Sequence, residues 1–211
     1  IVASAFGFQG QKCSAGSRAI LVNEIYDRVA DRVVEIASDI SIGATDAGPD
    51  VYLGPVVDTD AMSKIMNYIE IGTQEGNLLL GGNRHETPDG GYFIEPTIFG
   101  DVKRDARIAQ EEIFGPVLAL MRADNYDDAL AIANGTDYGL TGAVYSNNRE
   151  RLEQARREYH VGNLYFNRKC TGALVGVHPF GGFNMSGTDS KAGGPDYLLL
   201  FTQAKSIAEK L

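Results

Sequence analysis

Short apolar runs alternate along this chain with segments whose apolar residues recur at helical spacing, and this alternation restricts the fold more than any other feature. Residues 17–23 are rich in Ala, Ile, Leu and Val, as expected of a buried strand. In the next segment, charged residues separate apolar ones that share a helix face, namely Ile25, Val29, Val33, Ile36 and Ile40. The same reasoning predicts strands at 78–80, 92–99, 116–122, 140–145 and 162–167, and helices at 61–72, 126–133 and 148–158. Strands joined by helices predict an α/β fold in three layers, with a parallel sheet and helices on both faces.

Composition excludes several classes of function. The 19 basic and 28 acidic residues give a net charge of −9, which argues against nucleic acid as a partner. No apolar stretch approaches the roughly 20 residues that a membrane-spanning helix needs, so we expect no membrane partner and a cytoplasmic location. Two cysteines do not make a disulfide framework, and His85, His160 and His178 lack metal-ligand spacing, so no metal site is expected.

Cys13 lies in a glycine-rich run from Phe6 to Arg18. Glycines let backbone N–H groups approach a reacting oxygen closely, and a thiol nucleophile needs such donors for the oxyanion that it generates. The alternative is a cysteine that only fills core space. No histidine lies nearby in sequence to act as a base, so the spacing by itself leaves both interpretations open.

Four sequence blocks carry a resemblance to a known family. Residues 10–18 read Gly-Gln-Lys-Cys-Ser-Ala-Gly-Ser-Arg and resemble the active-site cysteine segment of the aldehyde dehydrogenase superfamily. The other three blocks agree with that superfamily in order and spacing; they are residues 111–117, Asn134 with 138–142, and 179–187. The resemblance covers nearly the whole chain. It implies an NAD(P)-dependent oxidoreductase in which Cys13 attacks the aldehyde.

The resemblance also implies residues that contact the cofactor. In the family, the second glutamate of the 111–117 block binds the nicotinamide ribose hydroxyls, and the phenylalanine packs near the nicotinamide. These roles fall on Glu112 and Phe114. A carboxylate that accepts two hydroxyl hydrogen bonds suits the task, whereas a Glu-Glu pair is otherwise most often solvated surface. The cofactor is expected to be NAD, with NADP left open.

The family's Rossmann-like cofactor domain precedes the cysteine segment, whereas this chain begins at Ile1, 12 residues before Cys13. No Gly-x-Gly-x-x-Gly motif is found that opens a helix after a strand. We therefore expect residues 1–199 to be the thiol-bearing catalytic domain without its N-terminal cofactor domain, and the isolated chain to be inactive. A non-catalytic folded module is the alternative for the isolated chain. Residues 200–211 resemble the family's terminal strand, which joins a partner's sheet in a homodimer or higher oligomer; a frayed helix is the alternative.

The substrate is indicated by residues 162–176 and by the glycine-rich stretch that follows. They resemble the branch of the family that oxidises glutamate-γ-semialdehyde, the open form of 1-pyrroline-5-carboxylate, to glutamate in proline degradation. The resemblance implies that Gly172 and Ala173 bind the α-carboxylate as an anion nest. It further implies that Ser14 donates a hydrogen bond to that carboxylate and that Phe180 flanks the aliphatic chain. An ordinary surface loop and a different aldehyde remain as alternatives.

Two other residues have open roles. Arg18 either pairs with a surface acid or lies close enough to Cys13 to lower the pKa of its thiol. Cys170 is expected to be a small apolar filler in a loop that approaches the active site.

Overall fold

A computed structural model describes residues 1–88, 90–174, 176–187 and 191–211. The helices are α1 Val2–Ala5, α2 Asn23–Ser38, α3 Thr59–Glu75, α4 Arg107–Gln110, α5 Tyr126–Asn134 and α6 Arg149–Glu158. The strands are β1 Arg18–Val22, β2 Asn77–Leu80, β3 Thr97–Gly100, β4 Val117–Ala123, β5 Tyr138–Gly139, β6 Thr141–Val144, β7 Asn163–Phe166 and β8 Phe183–Asn184. Short 3-10 segments occupy Gly7–Gly10 and Tyr197–Phe201. None of the helices in the described ranges is long and apolar enough to cross a membrane.

Three of the helices begin at a side chain that the sequence supplies for the purpose. Asp58, Asn125 and Asn148 each accept a hydrogen bond from a backbone N–H of the first turn of α3, α5 and α6. Such caps satisfy N–H groups that have no partner inside the helix, and each stabilises its helix by about 1 kcal/mol. The predicted helices at 61–72, 126–133 and 148–158 are confirmed within a few residues.

The main sheet has four strands in the order β1-β4-β3-β2. β4 pairs in parallel with β1 and with β3, so the predicted parallel sheet is confirmed for these three strands. It is wrong for β2, which runs antiparallel to β3. A parallel pair needs a crossover connection, usually a helix, and the described residues between β2 and β3, 81–88 and 90–96, contain none. The sheet is therefore mixed.

Helices cover both faces of the main sheet. Along β4, Leu118 and Leu120 pack toward the cluster that contains α2, whereas Ala119 and Met121 pack toward the cluster that contains α3 and part of α5. Successive side chains of a strand point to opposite faces, and a strand buried on both faces is apolar without interruption. The three predicted layers are confirmed.

Beyond the main sheet, two short pairs organise the carboxyl-terminal third. β6 and β7 pair in parallel, with α6 as their crossover, and β5 pairs antiparallel with β8. The strand predicted at 92–99 is wrong for 92–96, because regular pairing begins only at Thr97. Pro96 has no N–H to give to a ladder, which explains the late start.

The carboxyl-terminal tail lies on the surface. Leu200 and Phe201 belong to the 3-10 segment, and residues 202–211 are exposed and form no regular element. A strand that pairs with another subunit forms only between chains, so the oligomerisation strand at 200–211 stays a prediction, as does the boundary at residue 199.

Candidate active site

Cys13 lies in a turn between the first 3-10 segment and β1. Phe8, Gln9 and Gly10 all have left-handed backbone conformations, with φ of 57°, 57° and 66°. The N–H of Gln11 donates to the carbonyl of Phe8, and the N–H of Ala15 donates to the carbonyl of Lys12. Non-glycine residues rarely adopt this conformation, and such strain clusters at functional sites. The turn leaves Cys13 exposed, so this cysteine does not fill the core.

Gly10 packs directly against the 112–116 turn. A Cβ at Gly10 would lie 2.2 Å from the carbonyl oxygen of Gly115 and 3.1 Å from that of Ala5. Only glycine permits so close an approach of two backbones. This contact places the Cys13 turn beside the turn that carries Glu112 and Phe114, although about 100 residues separate the two in sequence.

The two neighbouring glutamates have different surroundings. Glu111 accepts hydrogen bonds from Arg107 Nε and Nη2 at 3.0 and 2.9 Å and from the Tyr68 hydroxyl at 2.7 Å. These bonds lower the pKa of Glu111 to about 2. The exposed side chain of Glu112 has no hydrogen-bond partner within the described ranges, so its carboxylate is available to a ligand. The Glu-Glu pattern in the sequence does not show which of the two carboxylates is paired, because the partners of Glu111 come from α3 and α4, which are distant or separate elements.

Phe114 presents its ring to solvent. Its φ is 60° and its side chain is 39% exposed, while Gly115 beside it is buried under Ile65. A left-handed phenylalanine with an exposed ring is strained and poorly shielded from water. An aromatic ring held in this way is suited to packing against a planar ligand.

The loop that follows β7 contacts the segment after Cys13. Cys170 is buried, and its Sγ donates to the carbonyl oxygen of Ser14 at 3.4 Å. A Cβ at Gly16 would lie 3.6 Å from the same sulfur. Cys170 thus packs as a small buried side chain, and it brings Gly172 and Ala173 to the neighbourhood of Ser14.

Arg168 holds this loop, a role that the sequence analysis does not predict. Its Nη2 donates to the carbonyl oxygens of Thr171 at 3.1 Å and Gly172 at 3.2 Å. An arginine three residues before a Thr-Gly pair is the only sequence signal that pointed to the contact.

Phe180 lies farther along the same stretch. Its N–H and carbonyl exchange hydrogen bonds of 2.8 Å with Ala192, which fixes it within the glycine-rich loop. No hydrogen bond among the described residues joins Phe180 to the Cys13 turn. Its proximity to the thiol therefore stays a prediction.

Arg18 pairs with no acidic side chain in the part of the chain that the structure describes. Its guanidinium donates to the carbonyl oxygens of Ile132 at 3.2 Å and Ala133 at 3.0 Å, at the carboxyl end of α5. Burial lowers the pKa of Arg18, and the nearby Tyr159 partly offsets this. A cation at the carboxyl end of a helix satisfies its last carbonyls and complements its dipole. Arg18 therefore serves to join β1 to α5.

A cavity of about 430 Å³ lies against β7 and is lined in part by Arg168, His178 and Lys191. None of its lining residues belongs to the Cys13 turn, so the cavity adjoins the candidate site only through Arg168. The ranges that the structure describes contain no cluster of three or more His, Cys, Asp or Glu residues suited to a metal ion.

The proteins whose sequences resemble this chain include several that share one enzyme name. The chain is 61% identical over 209 residues to 1-pyrroline-5-carboxylate dehydrogenase 2 of Halalkalibacterium halodurans and 62% identical to 1-pyrroline-5-carboxylate dehydrogenase of Geobacillus kaustophilus. These matches cover 99% of this chain, which spans 40% of the length of each relative.

Solved structures agree with the sequence comparison. Thermus 1-pyrroline-5-carboxylate dehydrogenase with bound NAD superposes with a TM-score of 0.95 at 58% identity, over 100% of this chain and 40% of that one. Proline utilization A of Bdellovibrio bacteriovorus gives a TM-score of 0.88 at 53% identity, over 93% of this chain and 20% of that one. The model of the aldehyde dehydrogenase family matches residues 1–207. With a family match over nearly its full length and a fold shared with these structures, the chain belongs to the aldehyde dehydrogenase family.

Proposed function

We propose that this chain carries the nucleophilic cysteine of an enzyme that oxidises L-glutamate-γ-semialdehyde to L-glutamate with NAD. The observation that carries the proposal is the close approach of Gly10 to Gly115, since it sets the turn that leads to the exposed Cys13 against the turn that contains Glu112 and Phe114. The relatives named 1-pyrroline-5-carboxylate dehydrogenase, at about 60% identity, support the choice of substrate.

Cys13 supplies the covalent chemistry in this proposal. Its thiolate attacks the aldehyde carbon, the C=O π electrons move to oxygen, and a thiohemiacetal oxyanion forms. The backbone N–H of Cys13 donates to that oxyanion. Loss of hydride from the same carbon leaves a thioester on Cys13, and attack by water releases glutamate and regenerates the thiol. The water attack needs a general base, which the proposal does not place on any described residue.

Glu112 and Phe114 fit a nicotinamide nucleotide. The carboxylate of Glu112 is exposed without a described partner, and two ribose hydroxyls would satisfy it. The ring of Phe114 is exposed and would cover one face of the planar nicotinamide. NAD, when bound, would be the acceptor of the hydride that leaves the thiohemiacetal carbon.

The loop after β7 would recognise the amino-acid end of the substrate. The N–H groups of Gly172 and Ala173 have no acceptor among the described residues, and the α-carboxylate would accept from both. Ser14 lies next to this loop through the Cys170 contact, and its hydroxyl would donate to the same carboxylate. Phe180 would flank the aliphatic chain.

We expect a strong preference for the amino-acid aldehyde. The assay follows NADH formation by the full-length gene product with glutamate-γ-semialdehyde, succinate semialdehyde and propionaldehyde. Two or three charge-assisted hydrogen bonds predict a kcat/KM for glutamate-γ-semialdehyde at least about 100-fold above that for propionaldehyde. Equal values would leave the dehydrogenase but remove the loop's role in recognition. No reduction of NAD with any of the three aldehydes would contradict the proposal as a whole.

We further propose that residues 200–211 add a strand to the sheet of a second copy. The exposed side chains of Leu200, Phe201 and Ile207 favour burial between chains. Light scattering of the full-length gene product should give a dimer or a multiple of it, and removal of residues 202–211 should give a monomer. An unchanged mass after the removal would contradict the proposal.

We also propose a cytoplasmic location, where a reducing environment keeps a catalytic thiol free. Fractionation of the source cells should recover the protein with cytoplasmic markers, and recovery from another compartment would contradict this.

A further inference from the structure

The guanidinium of Arg168 sits behind the loop that we propose binds the substrate carboxylate. One nitrogen, Nη2, donates to two successive carbonyl oxygens, those of Thr171 and Gly172. The guanidinium carbon lies 4.7 Å from the centre of the Tyr165 ring. Tyr165 is buried in β7, so the arginine is braced against a regular element. A cation stacked on an aromatic face is held both in place and in orientation.

Peptide geometry then fixes the opposite side of the loop. In a trans peptide unit the C=O and N–H bonds point in opposite directions. The carbonyl of Thr171 shares its peptide unit with the N–H of Gly172, and the carbonyl of Gly172 shares its unit with the N–H of Ala173. Because Arg168 binds both carbonyls, both N–H groups face away from it. They are the two donors that the proposed function assigns to the α-carboxylate.

Gly172 allows this arrangement. Successive carbonyls of an extended strand point to opposite sides, whereas here both reach the same nitrogen. The φ of Gly172 is +90°, which a residue with a side chain rarely adopts. A Cβ at this position would lie at an ordinary contact distance of 3.4 Å from Nη2 of Arg168, so the need for glycine comes from the backbone conformation. The loop therefore depends on a glycine and an arginine together.

We infer that Arg168 is the positioning residue for carboxylate recognition: it aims the N–H groups of Gly172 and Ala173 at the substrate and polarises their peptide units. This inference rests on the proposed function. A hydrogen bond to a carbonyl oxygen strengthens the N–H of the same unit as a donor, and Arg168 adds a positive charge on the carbonyl side of the loop. The ligand class is a carboxylate attached to the aldehyde, and Arg168 does not touch it.

The test compares Arg168→Met, Arg168→Lys and Lys169→Met in the full-length gene product. Methionine retains an apolar stem against Tyr165 but has no donor, lysine retains a donor, and Lys169 is an exposed neighbour. For glutamate-γ-semialdehyde, we expect Arg168→Met to raise KM about 10- to 50-fold, with kcat within about threefold. Arg168→Lys should recover part of the loss, and Lys169→Met should behave as the unaltered protein. For propionaldehyde, which has no carboxylate, kcat/KM should stay within about twofold in all three variants.

Three outcomes are distinguishable. An unchanged KM for glutamate-γ-semialdehyde in Arg168→Met would overturn the inference and leave the proposed function intact. An equal loss with both aldehydes in Arg168→Met and in Arg168→Lys would also overturn it, since a merely structural role predicts that result. If the unaltered protein shows no preference for glutamate-γ-semialdehyde, the loop has no role in recognition, and the inference about Arg168 is overturned with it.

Discussion

Replacement of Cys13 by alanine in the full-length gene product is expected to abolish dehydrogenase turnover while leaving the fold intact. Loss of a covalent nucleophile lowers kcat by about 10⁴-fold or more. The side chain is exposed, so its removal opens no cavity, and the free energy of unfolding should change by no more than about 0.5 kcal/mol. Turnover is measured as NADH formation with glutamate-γ-semialdehyde, and stability by urea-induced unfolding.

Cys170→Ala is the matched control, and we expect it to lower the stability of the protein while most of the turnover remains. Cys170 is buried and donates to the carbonyl of Ser14, so its truncation should lower the free energy of unfolding by about 1–2 kcal/mol. It has no role in the covalent steps, so most of the turnover should remain. Retention of turnover in Cys13→Ala, or its loss only in Cys170→Ala, would contradict the assignment of the nucleophile.

Gly10→Ala is expected to disrupt both stability and activity. The new Cβ would lie 2.2 Å from the carbonyl oxygen of Gly115, and the residue would have to keep a φ of +66°. The backbone conformation by itself costs about 1–2 kcal/mol, and the clash forces the two turns apart. We expect the free energy of unfolding to fall by more than about 3 kcal/mol and turnover to fall at least about 100-fold, since the thiol and the 112–116 turn lose their relative position.

Gly90→Ala separates the cost of the backbone conformation from the cost of the clash. Its φ is +71°, close to that of Gly10, but a Cβ there would have no neighbour within 4 Å. The variant should therefore show only the backbone cost of about 1–2 kcal/mol, with turnover unchanged. The difference between the two variants measures the contact of Gly10 with Gly115. Equal effects on stability and activity would contradict that contact as the feature that assembles the site.

The predictable part of the fold is the part that depends on local pattern. The helices α2, α3, α5 and α6 each carry their apolar spacing in consecutive residues, and β4 is apolar except for Arg122 because both of its faces are covered. The antiparallel direction of β2 also had a signal in the sequence, because no helix is predicted between the strands at 78–80 and 92–99 and a parallel pair needs a crossover connection. Pro96 offered a further signal, since a residue without an N–H cannot belong to the interior of a ladder.

The candidate site likewise has features that the sequence predicts and features that only the folded chain shows. Cys13, Glu112 and the loop around Gly172 could be proposed from short motifs, because each block resembles a segment of the aldehyde dehydrogenase family. The contacts that bring the blocks together could not, since they join distant residues; Arg18 and Ala133 are 115 positions apart. For the glycines near Cys13, Gly10 among them, the sequence predicts a close approach of backbone N–H groups to an oxyanion. The structural requirement at Gly10 is the closeness of Gly115, which only the folded chain reveals.

Reversible blocking of the thiols tests the central claim most directly. Methyl methanethiosulfonate adds a methylthio group to an accessible thiolate, and dithiothreitol removes it. In the full-length gene product, peptide mass spectrometry gives the modified fraction of Cys13 and of the buried Cys170, and NADH formation gives the residual activity. We predict that activity falls in proportion to the modified fraction of Cys13, reaches zero at complete modification, and returns with dithiothreitol. Full activity in protein whose Cys13 is completely modified would contradict the account.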